Sequence, residues 1–541
     1  MAVADATPRR LDGRQLDVAI IGAGFAGLYA LHRFRNVLGL QAESFDDAGG
    51  VGGTWYWNRY PGCRVDTEAS VYCYSFDKEL LRDWQWSERY PLQPEVLRYL
   101  NTVADKHDLN RSIHFNTRIV AAEWDGAARV WRIRTVRGEV ISARFLIEGV
   151  GLLSSTHAPS FPGAEGFAGQ IFHAARWPEH GVDLRGKRVG VIGTGSTGIQ
   201  VVTALAREVD QLFVFQRTPQ YVVPLGCGAF PAATRKRIET DPDEFYDWAR
   251  DSAAVFALQE SRIEAFSVGE AERQHIYEQA WQRGGGFAFM LETFSDIVTS
   301  EDANNTATDF IRSKIRATVK NPAIAERLSP SDLYAKRPLA VDGYYETYNR
   351  ANVTLISTAE DPIVEIYEHG IRTRSTHVEL DAITLATGFD AVTGNYLKID
   401  TRGRGGAHLQ DKWAAGPIAF GGLAIAGFPN LFTIFGPFGP FTSQPLVDEY
   451  QVNWISDLIA FTLKNGHRTV EIAEPVEAQW VDRCRAGAEM TLFPRVDSWL
   501  NGGNIEGKPK ASMFFMEGMA TYMAELEKIV GSGYQEFRFG D

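Results

Sequence analysis

Two copies of one glycine-rich pattern constrain the fold of this chain more than any other feature of its sequence. The first copy reads GAGFAG and begins at Gly22, and the second reads GTGSTG and begins at Gly193. Each copy follows a short apolar run, at residues 16–21 and 187–192, and precedes a helical pattern. A strand, a tight glycine turn and a helix in this order form the unit that binds the pyrophosphate of a dinucleotide. Two such units in one chain predict two bound dinucleotides.

The residues of each loop have separate roles in such a unit. The first glycine permits the tight turn, the second lets the backbone approach the pyrophosphate, and the third lets the helix pack closely on the strand. The unsatisfied N–H groups at the start of the helix then face the phosphates. The predicted loop residues are Gly22, Gly24 and Gly27 in the first unit, and Gly193, Gly195, Ser196, Thr197 and Gly198 in the second.

The residue at the end of the next strand, about 20 residues further on, selects the nucleotide. After the first loop, QAESFD ends at Asp46, whose carboxylate suits ribose hydroxyls and predicts an unphosphorylated ribose, as in FAD or NAD. Glu43, within the same strand, ranks second. After the second loop, LFVFQRT places Arg217 and Thr218 there. A cation suits a 2′-phosphate, so NADPH is predicted as the second dinucleotide; a solvated surface role is the alternative for Arg217.

The length of 541 residues predicts about three to four structural units. Alternating apolar stretches complete a first domain near residue 150, and a charged, helical stretch without a nucleotide motif interrupts the second domain. The predicted fold is therefore α/β, with two Rossmann-like dinucleotide-binding domains, the first for FAD or NAD and the second for NADPH, and a helical insertion in the second. The predicted boundaries are 1–150 and 391–541 for the first domain, which the resemblance described below assigns to FAD, 151–223 and 332–390 for the NADPH domain, and 224–331 for the insertion.

Charge and cysteine usage narrow the choice of partners. The net charge of −13 argues against nucleic acid or anionic lipid, since both need a basic surface. The four cysteines form no CxxC pair and no metal-ligand spacing, which indicates a reducing, cytoplasmic setting and no metal site. The first fifteen residues are polar and predict no signal peptide, and no run reaches the roughly 18 apolar residues of a membrane helix. We expect a soluble monomer or weak oligomer.

Two longer patterns carry a resemblance to a known family. FAGQIFHAARWP, at residues 167–178, matches the FxGxxxHxxxWP fingerprint of the Baeyer–Villiger monooxygenases. GGVGGTWYWNRYPGCRVD, at residues 49–66, resembles the family's second signature, GxWxxxxYPGxxxD. The likeness runs from about residue 16 to the C-terminus and is nearer to the cyclohexanone monooxygenase group than to the phenylacetone group. One departure is Glu148 in LIEGVG, where relatives carry a small or apolar residue.

The resemblance implies an activity and its catalytic residues. Members of this family use FAD, NADPH and O2 to convert small-molecule ketones, cyclic ones foremost, into esters or lactones through a flavin C4a-peroxide. Arg337 matches the arginine over the flavin, where a permanent positive charge would stabilise the anionic peroxide. Asp66 would hold that guanidinium in place. Lys336 is a further candidate for the 2′-phosphate, and His173 is assigned to a hinge between the domains, with no proton transfer. Without the resemblance, His173 is more readily interpreted as a structural histidine.

The same resemblance implies a cofactor environment and a substrate pocket. Trp499 lies in residues 498–510, a stretch too rich in glycine for regular structure, which resembles a mobile loop that closes on the nicotinamide cofactor. Residues 427–445 resemble the loop between flavin and substrate, although a plain core role is the alternative for their aromatic side chains. The implied flavin-side residues are Thr54, Trp55, Asp66 and Tyr72, and the implied pocket residues are Leu152, Leu153, Phe438, Phe441 and Thr442.

Three other interpretations compete with this one. A flavin-containing monooxygenase that oxygenates amines or sulfides shares both glycine loops, but its hinge pattern usually ends in Tyr where this chain has Trp177 and Pro178. An NADPH-dependent disulfide reductase needs a cysteine pair near the flavin, and Cys63 and Cys73 are ten residues apart. A non-catalytic flavoprotein would lack the arginine and aspartate that this chain retains.

Overall fold

The computed structural model describes residues 11–541. The expectation that the polar N-terminus is no signal peptide falls mainly on residues 1–10, which lie outside the described residues. Among the helices of residues 11–541, none is long and apolar enough to cross a membrane. All four cysteines are free thiols.

The first nucleotide unit begins a sheet whose central strand is buried on both faces. Val18, Ala19 and Ile20 in that strand are all 0% exposed, as expected for a strand between two covered faces of a parallel sheet. Residues 11–150 form strands β1 (Gln15–Ile21), β2 (Ala42–Phe45), β3 (Ile113–His114), β4 (Ile119–Asp125), β5 (Val130–Thr135) and β6 (Val140–Glu148). Their helices are α1 (Phe25–Leu31), α2 (Thr54–Trp57), α3 (Lys78–Asp83) and α4 (Gln93–Lys106).

The second nucleotide unit repeats this construction and then gives way to helices. Its elements are β7 (Gln170–His173), β8 (Arg188–Ile192), α5 (Ser196–Leu205), β9 (Gln211–Gln216) and β10 (Val222–Val223). The insertion forms helices α6 (Ala232–Thr240), α7 (Pro242–Asp251), α8 (Glu270–Arg283), α9 (Gly286–Glu292), α10 (Glu301–Thr318) and α11 (Pro322–Leu328).

After the insertion, the chain completes a parallel five-stranded sheet. The added elements are β11 (Leu339–Ala340), α12 (Tyr344–Thr347), β12 (Val353–Ser357), β13 (Ile363–Tyr367), β14 (Gly370–Thr373), β15 (His377–Glu379) and β16 (Ala382–Leu385). The order of the sheet is β12-β9-β8-β16-β7. A separate antiparallel sheet of β13, β14 and β15 precedes β16 in the chain.

The last third of the chain returns to the first sheet. Strand β17 (Asp400–Arg402) pairs with β4, and β18 (Leu431–Thr433) pairs with β6, which gives an eight-stranded sheet. The remaining elements are α13 (Leu409–Lys412), α14 (Gln444–Lys464), β19 (Thr469–Ile472), α15 (Glu474–Glu489), α16 (Met519–Gly531) and β20 (Phe537–Gly540).

The two sheets confirm the predicted fold class, with two Rossmann-like domains and a helical insertion in the second. The predicted boundaries after residues 150, 223, 331 and 390 interrupt no helix or strand, and the exact division stays a prediction.

Glu148, the departure from the family pattern, ends β6 in a fully buried position. Its side chain is 0% exposed, and neither carboxylate oxygen has a hydrogen-bond partner among residues 11–541. The buried Tyr396 hydroxyl also has no hydrogen-bond partner within the described residues. Burial raises the pKa of Tyr396, and a negative charge on the nearby Glu148 would raise it further. Burial raises the pKa of Glu148 to about 8, because the ionised form is disfavoured away from water. Glu148 is therefore protonated at neutral pH.

We predict that Glu148 makes the fold less stable as pH rises from about 4.5 to about 8. Between its reference pKa of 4.5 and its folded pKa of about 8, the folded state keeps a proton that the unfolded state has lost. The slope is about 1.4 kcal/mol per pH unit for one group. Glu148→Gln should remove this slope in thermal unfolding midpoints measured from pH 5 to pH 8. Glu123→Gln, on an exposed side of β4, is the control, and identical pH profiles for both variants would contradict the prediction.

Candidate active site

The first glycine loop is built to hold a phosphate against the backbone. Gly22 has φ 112°, and a Cβ atom there would lie 2.4 Å from the Gly149 carbonyl oxygen. A Cβ atom on Gly27 would lie 1.8 Å from the Gly22 carbonyl oxygen, so helix α1 contacts the turn directly. Gly24 begins α1 without a side-chain cap, which leaves the first N–H groups of the helix for a ligand.

The second loop has the same construction around different neighbours. Gly193 has φ 108°, and its Cβ atom would lie 2.4 Å from the Ala386 carbonyl oxygen. A Cβ atom on Gly198 would lie 2.2 Å from the Gly193 carbonyl oxygen. Gly195 faces open space and begins α5 without a side-chain cap, and Ser196 and Thr197 form the first turn of that helix. Both loops therefore fit a dinucleotide pyrophosphate.

The two acids predicted near the first loop have different environments. Asp46 follows β2 directly and accepts hydrogen bonds from the N–H groups of Ala23, at 2.6 Å, and Ala48, at 2.8 Å. Burial raises the pKa of Asp46 to about 6. Glu43 instead pairs with Arg14 and with the His114 ring, which is 2.9 Å away. The structure thus places Asp46, not Glu43, against the glycine loop.

Cations gather near the second loop. The Arg217 side chain is exposed and forms no hydrogen bond or ion pair with the described residues 11–541. Thr218 accepts a hydrogen bond through its carbonyl oxygen from the Thr194 hydroxyl of the loop, at 3.2 Å. Lys336 is paired with Asp332 at 2.5 Å.

A second acid, Asp497, lies near both cations. Asp497 pairs with Lys510 at 2.8 Å. The hydrogen bond and charge of Lys510 lower the pKa of Asp497 most, and the charges of Lys336 and Arg217 lower it further. Arg217 and Lys336 are therefore close enough to act on one shared anion.

The flavin-side signature connects the two nucleotide units. Thr54 begins α2, and the Gly52 N–H donates to the Ala23 carbonyl oxygen of the first loop at 3.0 Å. The Trp55 indole N–H donates to the Tyr72 hydroxyl at 3.2 Å. A few residues later, the buried Tyr60 hydroxyl donates to the Gln200 side chain of α5 at 3.0 Å. The signature thus spans from the first glycine loop to the helix of the second.

Arg337 and Asp66 form a bidentate ion pair between these units. Arg337 Nη1 lies 2.5 Å from Asp66 Oδ2, and Nη2 lies 2.6 Å from Oδ1. The side chains are only 22% and 18% exposed. Burial lowers the pKa of Arg337, but the charge and hydrogen bonds of Asp66 outweigh burial and hold the pKa above its usual range. The guanidinium therefore stays positively charged, and it packs over the Phe287 ring with its carbon 5.3 Å from the ring centroid.

Aromatic side chains surround this cation. Phe256 stacks on Phe287 with centroids 3.9 Å apart, and Phe441 lies 6.2 Å from Phe287. The Thr442 hydroxyl donates to the Ala254 carbonyl oxygen at 2.5 Å and ties the predicted pocket loop to this group. Phe256 and Phe287 could not be identified from the sequence, because the insertion has no motif. The glycine run at 284–286, directly before Phe287, is the nearest local signal, and it does not extend to Phe256.

The other predicted pocket residues are distributed differently. Phe438 is 0% exposed and belongs to the main core, and Leu152 and Leu153 also pack into that core, near the chain crossing. Phe441 alone among the predicted aromatic residues contacts the Phe287 group.

Residues 498–510, here called the Trp499 loop, are more regular than predicted. Trp499–Asn501 form a 3-10 helix, capped by Ser498 in a capping box with Asn501. The prediction that glycine excludes regular structure here is therefore wrong for this turn. The Trp499 ring packs edge-on against Phe514 at 6.1 Å, and Phe514 lies 5.6 Å from Phe441. The loop thus borders the aromatic group beside Arg337.

His173 lies where the chain crosses twice between the domains. The first crossing, at 150–157, pairs with the second, at 386–392, here called the return crossing. The His157 N–H donates to the Gly388 carbonyl oxygen at 3.0 Å. His173 Nε2 donates to the His157 carbonyl oxygen at 3.3 Å, and Nδ1 accepts from the Ala175 N–H at 3.2 Å. Burial lowers the pKa of His173 and favours the neutral ring.

Comparisons with known proteins agree with this geometry. A family model described as FMO-like, flavin-binding monooxygenase-like, matches residues 15–227. With the full-length relatives that follow, this defines the class as a flavoprotein monooxygenase. The chain is 49% identical to a Baeyer-Villiger monooxygenase of Pseudooceanicola batsensis and 46% identical to a cyclohexanone 1,2-monooxygenase of an Acinetobacter species, with 96% of this chain and of the relative covered in both comparisons. The crystal structure of cyclohexanone monooxygenase from Rhodococcus sp. Phi1 bound to NADP+ matches with a TM-score of 0.96 at 46% identity, covering 98% of this chain and 99% of that one. The chain belongs to the Baeyer–Villiger monooxygenase family, and its cofactors are FAD and NADPH.

We predict that Asp66→Asn lowers the turnover rate about tenfold or more without loss of FAD. The variant leaves a half-buried guanidinium without its counter-charge, so Arg337 loses its fixed position. Turnover is measured by ester formation, and FAD content by absorbance. Asp83→Asn, an exposed aspartate at the end of α3, serves as the control. Equal turnover in the Asp66 and Asp83 variants would contradict a positioning role for Asp66.

Proposed function

We propose that this chain converts ketones into esters, and cyclic ketones into lactones, with NADPH and O2 as co-substrates. The observation that carries the proposal is the Arg337–Asp66 pair, which lies near Tyr60 and Tyr72 on the flavin side and packs over Phe287 of the aromatic group. The cyclohexanone-oxidising relatives favour cyclic ketones as the substrate class.

The residues of the two loops fit the two cofactors. We assign FAD to the first loop, with Asp46 near its ribose and Thr54, Trp55 and Tyr72 on the side of its ring system. When bound, FAD supplies the chemistry that protein side chains lack, namely hydride uptake from NADPH and activation of O2. We assign NADPH to the second loop. Its 2′-phosphate would be bound by Arg217 and Lys336, with Thr218 beside them.

Arg337 is the proposed catalytic residue. Its fixed positive charge would stabilise a negatively charged oxygen beside the ketone carbonyl, and Asp66 would keep the guanidinium aimed at that place. A lysine would serve less well, because burial lowers its pKa readily. The aromatic group of Phe256, Phe287 and Phe441 would bind the hydrocarbon part of the ketone and exclude water.

The remaining assignments concern the surroundings of the site. We propose that His173 positions the two crossings as a hinge, and that Trp499 covers the coenzyme side of the site. We propose a cytoplasmic protein that acts on small molecules as a monomer or weak oligomer, and the domain division given above.

The cysteine thiols do not support the disulfide-reductase alternative. Burial raises the pKa of both Cys63 and Cys73 to about 12, so neither is a ready nucleophile. Oxygenation of amines or sulfides is tested by product analysis with a thioether beside cyclohexanone.

We predict that Arg337→Ala abolishes ester formation while NADPH still reduces the flavin. The variant removes the positive charge but leaves both glycine loops intact, so at least a hundredfold loss of ester is expected. The measurement combines flavin bleaching by NADPH under anaerobic conditions with product analysis after exposure to cyclohexanone and air. Unchanged ester yield would remove Arg337 from the mechanism.

We predict that Arg217→Ala raises the KM for NADPH about tenfold or more and changes the KM for NADH little, because only NADPH carries the 2′-phosphate. Steady-state kinetics with both coenzymes give the comparison. Arg185→Ala, whose side chain is 77% exposed and paired with Asp183, controls for loss of surface charge. A similar rise in KM for NADPH and NADH would contradict the assignment of Arg217 to the 2′-phosphate.

A further inference from the structure

Two side chains of the Trp499 loop bind the return crossing. Lys508 Nζ lies 2.6 Å from Asp390 Oδ1 and donates to the Ala391 carbonyl oxygen at 2.9 Å. Asn504 Nδ2 donates to the Phe389 carbonyl oxygen at 3.2 Å. The loop is therefore held at three consecutive residues of the return crossing.

These contacts connect the loop to both domains. The Asp390 N–H donates to the Ser155 carbonyl oxygen of the first crossing at 2.8 Å, and the Val392 N–H donates to the Leu152 carbonyl oxygen at 3.1 Å. A change in the relative position of the two crossings would therefore move the residues that hold the loop.

The Lys508 pair is more enclosed than the other ion pair of this region. The Lys508 side chain is 13% exposed and that of Asp390 37%, whereas Lys510 and Asp497 are 46% and 72% exposed. An exposed pair contributes little because water and salt screen it. Lys398 also faces Asp390, but its pKa is lowered by burial and by Arg118 and Arg176, with Asp390 opposing them. Of the two lysines near Asp390, Lys508 is the one that belongs to the Trp499 loop.

We propose that Lys508 and Asn504 are positioning residues that hold the Trp499 loop closed against the return crossing. Through Asp390, whose backbone N–H donates to the Ser155 carbonyl oxygen, the loop is fixed to both crossings. A closed loop would retain the nicotinamide coenzyme during the reaction, and this benefit rests on the proposed function. The contacts of Lys508 and Asn504 do not depend on it.

The test is amide hydrogen exchange of residues 498–510 in the FAD-loaded enzyme without coenzyme. Lys508→Met keeps the aliphatic stem and removes the charge, so exchange in the loop should be about tenfold faster. Asn504→Ala should give a smaller increase in the same peptide. Glu506→Gln, an exposed residue of the same loop, is the matched control and should leave exchange unchanged. Equal exchange in wild type and Lys508→Met would overturn the proposal.

A double-mutant cycle separates this contact from a general loss of stability. If Lys508 acts through Asp390, then Lys508→Met combined with Asp390→Asn should be no worse than either single variant. Additive effects would overturn the coupling, and Lys508→Arg should restore protection. If Lys508→Met does not fold, Asn504→Ala alone decides, and unchanged exchange in it overturns the proposal.

The affinity for NADP+ links the contact to the reaction. Lys508→Met should raise the Kd for NADP+ about tenfold and increase the hydrogen peroxide released per NADPH, while the rate of flavin reduction by saturating NADPH stays near that of wild type. An unchanged Kd would overturn the link. Failure of the proposed function would appear as a wild-type enzyme that makes no ester from any ketone. The hydrogen-exchange results would still test the loop contacts independently.

Discussion

The ion pair of Arg337 with Asp66 is the interaction on which the rest of the site depends. A guanidinium that is only 22% exposed costs free energy unless a counter-charge satisfies it, and here both of its terminal nitrogens bind one carboxylate. The aspartate belongs to the first nucleotide domain and the arginine follows the helical insertion. The pair therefore forms only when the two are packed together, and the position of the charge depends on the arrangement of the domains.

That arrangement is maintained by contacts that cross between the units. The Tyr60 hydroxyl binds Gln200 on the helix of the second loop, and the two crossings pair through their backbones. Positive φ angles occur on both sides of Phe256, 55° at Val255 and 53° at Ala257, as they do at several other non-glycine residues of the described chain. Backbone strain of this kind persists only where surrounding contacts enforce it, and it is common at functional sites. Phe256 itself stacks on Phe287.

The glycine loops and the strands before them could be predicted from sequence, because a missing Cβ atom and an apolar run are local properties. The ion pair of Arg337 and Asp66 could be predicted only through the family resemblance, since nothing local brings the two residues together. Phe256 and Phe287 were missed because the insertion carries helical periodicity but no motif. The burial of Glu148 follows from the eight-stranded sheet, which forms only after β18 returns to pair with β6. The short helix at Trp499 begins at the Ser498 cap. It was not predicted, because the high glycine content of the loop indicated irregular structure.

The central claim is that a charge which does not titrate is needed at position 337 when oxygen is transferred to the ketone. The most direct test is the pH dependence of ester formed per NADPH consumed, compared between wild type and Arg337→Lys. The ordinary pKa of a lysine, about 10.4, lies well below that of a guanidinium, so the variant should lose its charge as pH rises through the alkaline range, whereas the guanidinium keeps its charge. The account predicts a wild-type ratio that holds across the alkaline range and a variant ratio that falls with rising pH. The same pH profile in both proteins would contradict it.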